Sequence, residues 1–157
     1  MGVRHDFANF ANMDTLRNTT FRKRERLSLK REIDALFVPG SKSFAAYPLR
    51  AVYRTTGFSG TEVKVMTSVS KRHFHHAVDR NRAKRQMREA YRLNKSIVVD
   101  AIRTANEAMP DNRLSLNIAF IWLADEPKDS QLVERKLKNL LYRISESLNS
   151  AQGQPDE

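Results

Sequence analysis

Apolar positions along the chain change period several times, and each change marks an element. Ile33, Leu36 and Phe37 stand at i, i+3 and i+4, which predicts a short helix over "LKREIDALF" with one apolar face. Ser28 offers it an N-cap, and Pro39 and Gly40 in "VPGSKS" end it. In "FAAYPLRAVYRT", Leu49, Ala51 and Tyr53 alternate as in a strand whose start, at Pro48, is an edge or a bulge. "EVKVMTSVS" alternates again at Val63, Val65, Thr67 and Val69. With "TGFSGT" as the turn, these two strands are expected to form an antiparallel hairpin, joined by a short extra strand near Phe44.

The period then becomes helical. With Arg82 at zero on a wheel, Ala83, Met87, Ala90 and Tyr91 of "AVDRNRAKRQMREAYRLNK" fall between about 80° and 180°. Lys84, Arg85, Arg88, Arg92 and Lys95 fall between about 200° and 300°, so an apolar stripe is flanked by a basic arc. "SIVVDAIRTANEAM" continues this helix or begins a second one, stopped at Pro110 and Asp111. In "RLSLNIAFIWLA", Leu114, Leu116, Ile118, Phe120 and Trp122 share one face. Ala119, Ile121 and Leu123 make the other face apolar too, which predicts a central strand covered on both sides. Leu132, Val133, Leu137, Leu140, Leu141, Ile144 and Leu148 mark a long amphipathic helix. The pattern predicts a single α+β domain over residues 21–148, in the order α-β-β-(β)-α-β-α, with helices on one face of one sheet and the other face open. Residues 1–20 read as a flexible arm and residues 149–157 as a disordered tail.

Charge gives this plan a function. The 157 residues carry a formal charge of +10, a balance that attracts a polyanion. Seven cations and one acid, Glu89, lie between Arg80 and Lys95. Lys84, Arg88 and Arg92 are spaced i,i+4, where like charges repel, so the arrangement costs stability unless an anion binds it. Five of the seven are arginines, whose planar forks suit phosphates and stack on bases. A solvated surface helix would mix acids with bases at that spacing. The absence of cysteine excludes disulfides and thiolate metal sites and fits a reducing compartment. The apolar runs are too short for a signal peptide or a membrane span, so a soluble, cytoplasmic protein is expected.

Other chemistry finds little support. His73, His75 and His76 in "KRHFHHAV" lack the further ligands of a tetrahedral metal site, and are expected to give polar and stacking contacts to RNA. Asp34 and Asp79 have no paired carboxylate, Ser68 and Ser70 have no recognisable base, and no glycine-rich phosphate loop occurs. Ile33, Phe37 and Tyr53 have the character of a groove for unstacked bases, or else of ordinary core.

The segment "SVSKR…HHAVDRNRAKRQMREAYR", Ser68 to Arg92, resembles the signature of the bacterial ribonuclease P protein subunit. In that family a strand ending in S-x-S-K precedes a loop and then A-V-x-R-N-R-x-K-R-x-x-R-E. "RLSLKREIDALFVPG" resembles the family's opening R-L, first helix and terminating glycine, so the likeness runs from about Phe21 to Leu148. Ile33 stands where the family often has an aromatic residue, and the "HFHH" loop is about one residue longer than in some members. The resemblance implies an α/β sandwich with the arginine-rich helix in a left-handed β-α-β crossover. It implies a partner, the catalytic RNA of an endoribonuclease that removes the 5′ leader of precursor tRNA. Hydrolysis there depends on Mg2+ held mainly by the RNA and substrate, with no catalytic residue from the protein. Arg80, Asn81, Arg82, Lys84, Arg85, Arg88 and Arg92, with Ser68, Ser70 and Lys71 at the strand end, would bind RNA. Ile33, Phe37 and Tyr53 would line the leader groove. No membrane and no protein partner are implied. The rival readings are a ribosomal-type RNA-binding protein without a part in cleavage and a DNA-binding regulator with the basic helix in the major groove.

Overall fold

The computed structural model describes residues 20–153. Apart from Thr20, the expected arm lies outside the described residues. After a 3-10 turn at Lys23–Glu25, the chain forms α1 (Lys30–Leu36), β1 (Lys42–Ala46), β2 (Leu49–Gly57), β3 (Val63–Ser68), α2 (Ala77–Asn94) and α3 (Ser96–Ala108). A second 3-10 turn at Pro110–Asn112 leads to β4 (Leu114–Trp122) and α4 (Ser130–Gly153). Since α4 reaches Gly153, part of the tail expected to be disordered is helical. No helix among the described residues is long and apolar enough to cross a membrane.

One four-stranded sheet, in the order β1-β2-β4-β3, organises the domain. The expected strand "FAAYPLRAVYRT" is a hairpin, β1 and β2, turning at a cis Tyr47–Pro48 bond. The expected pairing of β2 with β3 is therefore wrong. β4 lies between them, antiparallel to β2 with Tyr53 opposite Ile118 and parallel to β3 with Val65 opposite Ile118. A parallel pair needs a long crossover, and α2 and α3 supply it between β3 and β4. As its two apolar faces predict, β4 is the central strand, with Leu116, Ile118, Phe120 and Trp122 buried on one side and Ser115, Asn117 and Ala119 on the other.

The principal core lies on one face. Leu49, Ala51, Tyr53, Val63, Val65 and the Leu116, Ile118, Phe120 and Trp122 face of β4 meet Met87 and Tyr91 of α2, Val98 and Ile102 of α3, and Leu137, Leu140, Leu141 and Ile144 of α4. Each Val, Leu, Ile, Phe or Met among them contributes about 1.5–3 kcal/mol of transfer free energy when fully buried. The other face is not open, as the apolar pattern predicts, but half-covered. Leu27 and Leu36 pack on Ala119, with Ile33, Val52 and Met66 at their margin. The helix α1 begins after Leu29 rather than after a Ser28 cap, and Leu29 makes no side-chain capping bond. It ends as predicted, with Gly40 at φ +104°, a left-handed conformation that favours glycine.

Candidate nucleic-acid interface

The eighteen residues of α2 divide as the wheel predicts. Ala83, Met87, Ala90 and Tyr91 are buried, and this stripe fixes which arc the helix presents outward. Burial, and after it the charge of Glu25, push the Tyr91 hydroxyl well above its ordinary pKa, so this side chain stays neutral inside the core. Asn81, Arg82 and Arg85 are exposed, and Lys84, Arg88 and Arg92 are half-buried along the same helix.

Three of these side chains have neighbours inside the protein. Arg80 Nη1 donates to the carbonyls of Phe74 (2.9 Å) and His75 (3.0 Å), tying the preceding loop to the first turn of α2. Arg88 Nε reaches the carbonyl of Lys84 at 3.4 Å. Arg92 pairs with Glu89, its Nε donating to Oε2 at 3.0 Å. That hydrogen bond holds the Glu89 carboxyl below the usual carboxylate range.

The end of β3 places Ser68, Ser70 and Lys71 immediately before this helix. Ser70 shapes the turn, its carbonyl accepting from His73 N and its Oγ from Arg72 N at 3.1 Å. Lys71 is exposed. Phe74 anchors the loop, buried with its ring centroid 6.1 Å from that of Trp122. His73 Nδ1 lies 2.6 Å from Asp125 Oδ1, whereas His75 and His76 face solvent. Among the described residues no three histidines or carboxylates are grouped to hold a metal ion.

The second sheet face leaves an apolar surface beside α1 only partly covered. Ile33 borders it, and Phe37, 51 % exposed, projects at the helix end. Tyr53 is not part of it. Strand residues alternate faces, so Tyr53 follows Leu49 and Ala51 into the principal core while Val52 turns toward α1. The Tyr53 hydroxyl donates to Ser147 Oγ of α4 at 2.7 Å, and its ring stacks on Phe44. Val52 and Met66 share that partly covered surface with Ile33, and the same alternation contains them.

The segment before α1 was also missed. Phe21 meets Tyr91 edge-on at 5.6 Å, and the Arg26 guanidinium lies 5.4 Å from the Phe21 ring centre. Lys95, at the α2–α3 junction, donates to Glu25 Oε1 at 2.6 Å and to the Thr20 carbonyl. The basic run "TFRKRERL" was its only signal in the sequence.

Comparison with known proteins decides the relationship. The family described as Ribonuclease P matches residues 21–145. A relative named ribonuclease P protein component, from Porphyromonas gingivalis, is 40 % identical over 134 residues, covering 82 % of this chain and 89 % of its own. This chain belongs to the ribonuclease P protein family. A member from Chlorobium phaeobacteroides is 31 % identical over 136 residues, covering 84 % of this chain and 92 % of its own. Among solved structures, the ribonuclease P protein of Thermotoga maritima matches with a TM-score of 0.57 and 26 % identity, covering 76 % of this chain and 97 % of its own. The fold is thus the family's α+β fold, and the family match spans the whole basic helix and the segment carrying Phe21 and Arg26.

Proposed function

We propose that this chain acts as the protein subunit of ribonuclease P, binding its catalytic RNA and supporting removal of the 5′ leader from precursor tRNA in the cytoplasm. One coincidence carries the reading: the family match contains an eighteen-residue helix whose outward arc is crowded with cations. Arg82, Lys84, Arg85 and Arg88, with Asn81 and Arg92, contact phosphates of the catalytic RNA. Arg80 holds the loop that presents Ser70 and Lys71 beside them.

Each phosphate neutralised releases counterions and lessens repulsion between RNA strands. Contacts of this kind fix register and orientation, so the protein's part is positioning. Hydrolysis belongs to Mg2+ held mainly by the RNA and its substrate, and no protein side chain enters the reaction. The groove bordered by Ile33 and Phe37 receives unpaired leader bases.

Reconstitution tests the whole reading. The purified full-length chain, its catalytic RNA and a leader-bearing precursor tRNA are combined singly and together across magnesium concentrations. Cleavage at the mature 5′ end is expected only when the RNA is present, and faster with the protein than without it. RNA-free protein that cuts there, after removal of contaminating nuclease, overturns the assignment of catalysis. A catalytic RNA indifferent to the protein overturns the assignment of the chain.

A further inference from the structure

A second set of cations reaches the basic helix from far away in the sequence. Phe21, Arg26, Arg85, Arg88, Glu89 and Arg92 line one surface depression of about 330 Å³. Four guanidinium groups therefore share a shallow, open depression with a single carboxylate, and Arg92 already engages that carboxylate. Arg26, Arg85 and Arg88 have no acidic partner among the described residues. Cations concentrated in this way repel one another, and their summed field attracts an incoming anion.

Arg26 is held there by structure on every side. Its backbone bridges Val65 in parallel, and the next amide, Leu27 N, donates to the Val65 carbonyl at 2.9 Å. On its other side, Glu25 is tied to Lys95 by a pair whose side chains are only 12 % and 11 % exposed. The side chain lies toward the Phe21 ring, itself seated on Tyr91. A cation near a ring face is attracted by it, which narrows the orientations open to the guanidinium. A fork whose orientation is limited in advance loses less entropy when it binds a phosphate.

We propose that Arg26 is a further RNA-contacting residue, which joins Arg85 and Arg88 to grip one backbone phosphate of the catalytic RNA, with Phe21 as the residue that positions it. The proposal rests on the reading of α2 as an RNA-binding helix and extends that surface onto the segment before α1. Guanidinium forks match phosphate oxygens in pairs, and a backbone phosphate takes such a fork whatever the base.

The test measures affinity of the full-length protein for its catalytic RNA across a range of salt concentrations. Arg26→Ala is expected to weaken binding about tenfold and to lower the salt slope by about one. Arg26→Lys keeps the slope, because the charge remains, but binds less tightly because the fork is gone. Phe21→Leu weakens binding in the presence of Arg26 and adds nothing in the Arg26→Ala background, each protein being checked for an unchanged fold by circular dichroism. An equal loss in both backgrounds overturns the positioning role. Arg85→Ala serves as the reference. If it loses affinity and slope while Arg26→Ala loses neither, Arg26 lies outside the interface and the basic helix keeps its assignment. If neither variant changes anything, the RNA-binding reading of α2 falls with the proposal.

Discussion

The Tyr53 hydroxyl is committed inside the molecule, donating to Ser147 Oγ across the gap between β2 and α4. Tyr53→Phe keeps the stacked ring and removes only that bond, so a loss of about 0.5–1.5 kcal/mol in urea unfolding is expected. RNA affinity should stay the same, since the side chain faces the core; a selective loss of leader binding would return Tyr53 to the groove. Glu89 is a different case, because its partner belongs to the basic arc. Arg92 holds Glu89 ionised at a lower pH than an unfolded chain would. The stability this confers is present above the ordinary value of 4.5 and is lost as pH falls through the lower folded value. The pair is solvent-exposed, so its worth is under about 1 kcal/mol, and acid unfolding curves of the parent and Glu89→Gln should converge below that range. Toward RNA the sign reverses. Glu89→Gln releases Arg92 for phosphate, so binding should tighten severalfold and the salt slope should steepen; weaker binding would show that Glu89 itself supports the interface.

Elements were legible where local period and burial agree. The apolar stripe of α2, the two buried faces of β4 and the long α4 all follow from one-dimensional spacing, because a helix or central strand must bury the residues it repeats. The basic arc was legible for the same reason, since it is what the stripe leaves outside. Partnership of elements was not. β2 and β3 follow one another, yet β4, arriving nearly fifty residues after β3, takes the place between them. Nor does a period of two say which face of a sheet a distant helix covers, and so Tyr53 was assigned to the wrong side. The segment before α1 was opaque because it is held by single long-range contacts. Lys95 and Glu25 are the clearest of these. Lys95→Ala leaves Glu25 largely buried without its cation, and destabilisation of about 3 kcal/mol is expected in chemical denaturation. Replacing both, as Lys95→Met with Glu25→Leu, should recover most of it. If the single variant costs nothing, the pair is not what holds residues 20–27 on the α2–α3 junction.

At the scale of the whole molecule, the sheet divides the work. One face is filled by α2, α3 and α4, and this packing fixes the direction in which the cations of α2 point. The other face carries only α1 and Leu27 before it among the described residues, so apolar surface beside Ile33, Val52 and Met66 stays half-buried at the margin of a strongly basic protein. A surface of that kind suits a single strand of nucleic acid, whose bases seek apolar contact while its phosphates seek charge. Phe37 is the sharpest test of it. Because the ring is already 51 % exposed, Phe37→Ala leaves no core cavity, and its stability should change by less than about 0.5 kcal/mol. Stacking of an unpaired base on an aromatic ring is worth about 1–3 kcal/mol, so precursor tRNA with a leader of several nucleotides should bind the reconstituted complex correspondingly less tightly. Mature tRNA, which has no leader, should bind as before, and so should the catalytic RNA alone. Equal losses for precursor and mature tRNA would mean that Phe37 touches the body of the tRNA or the partner RNA. No loss for either would leave the α1 groove without a part in substrate binding, even with the basic helix fully engaged.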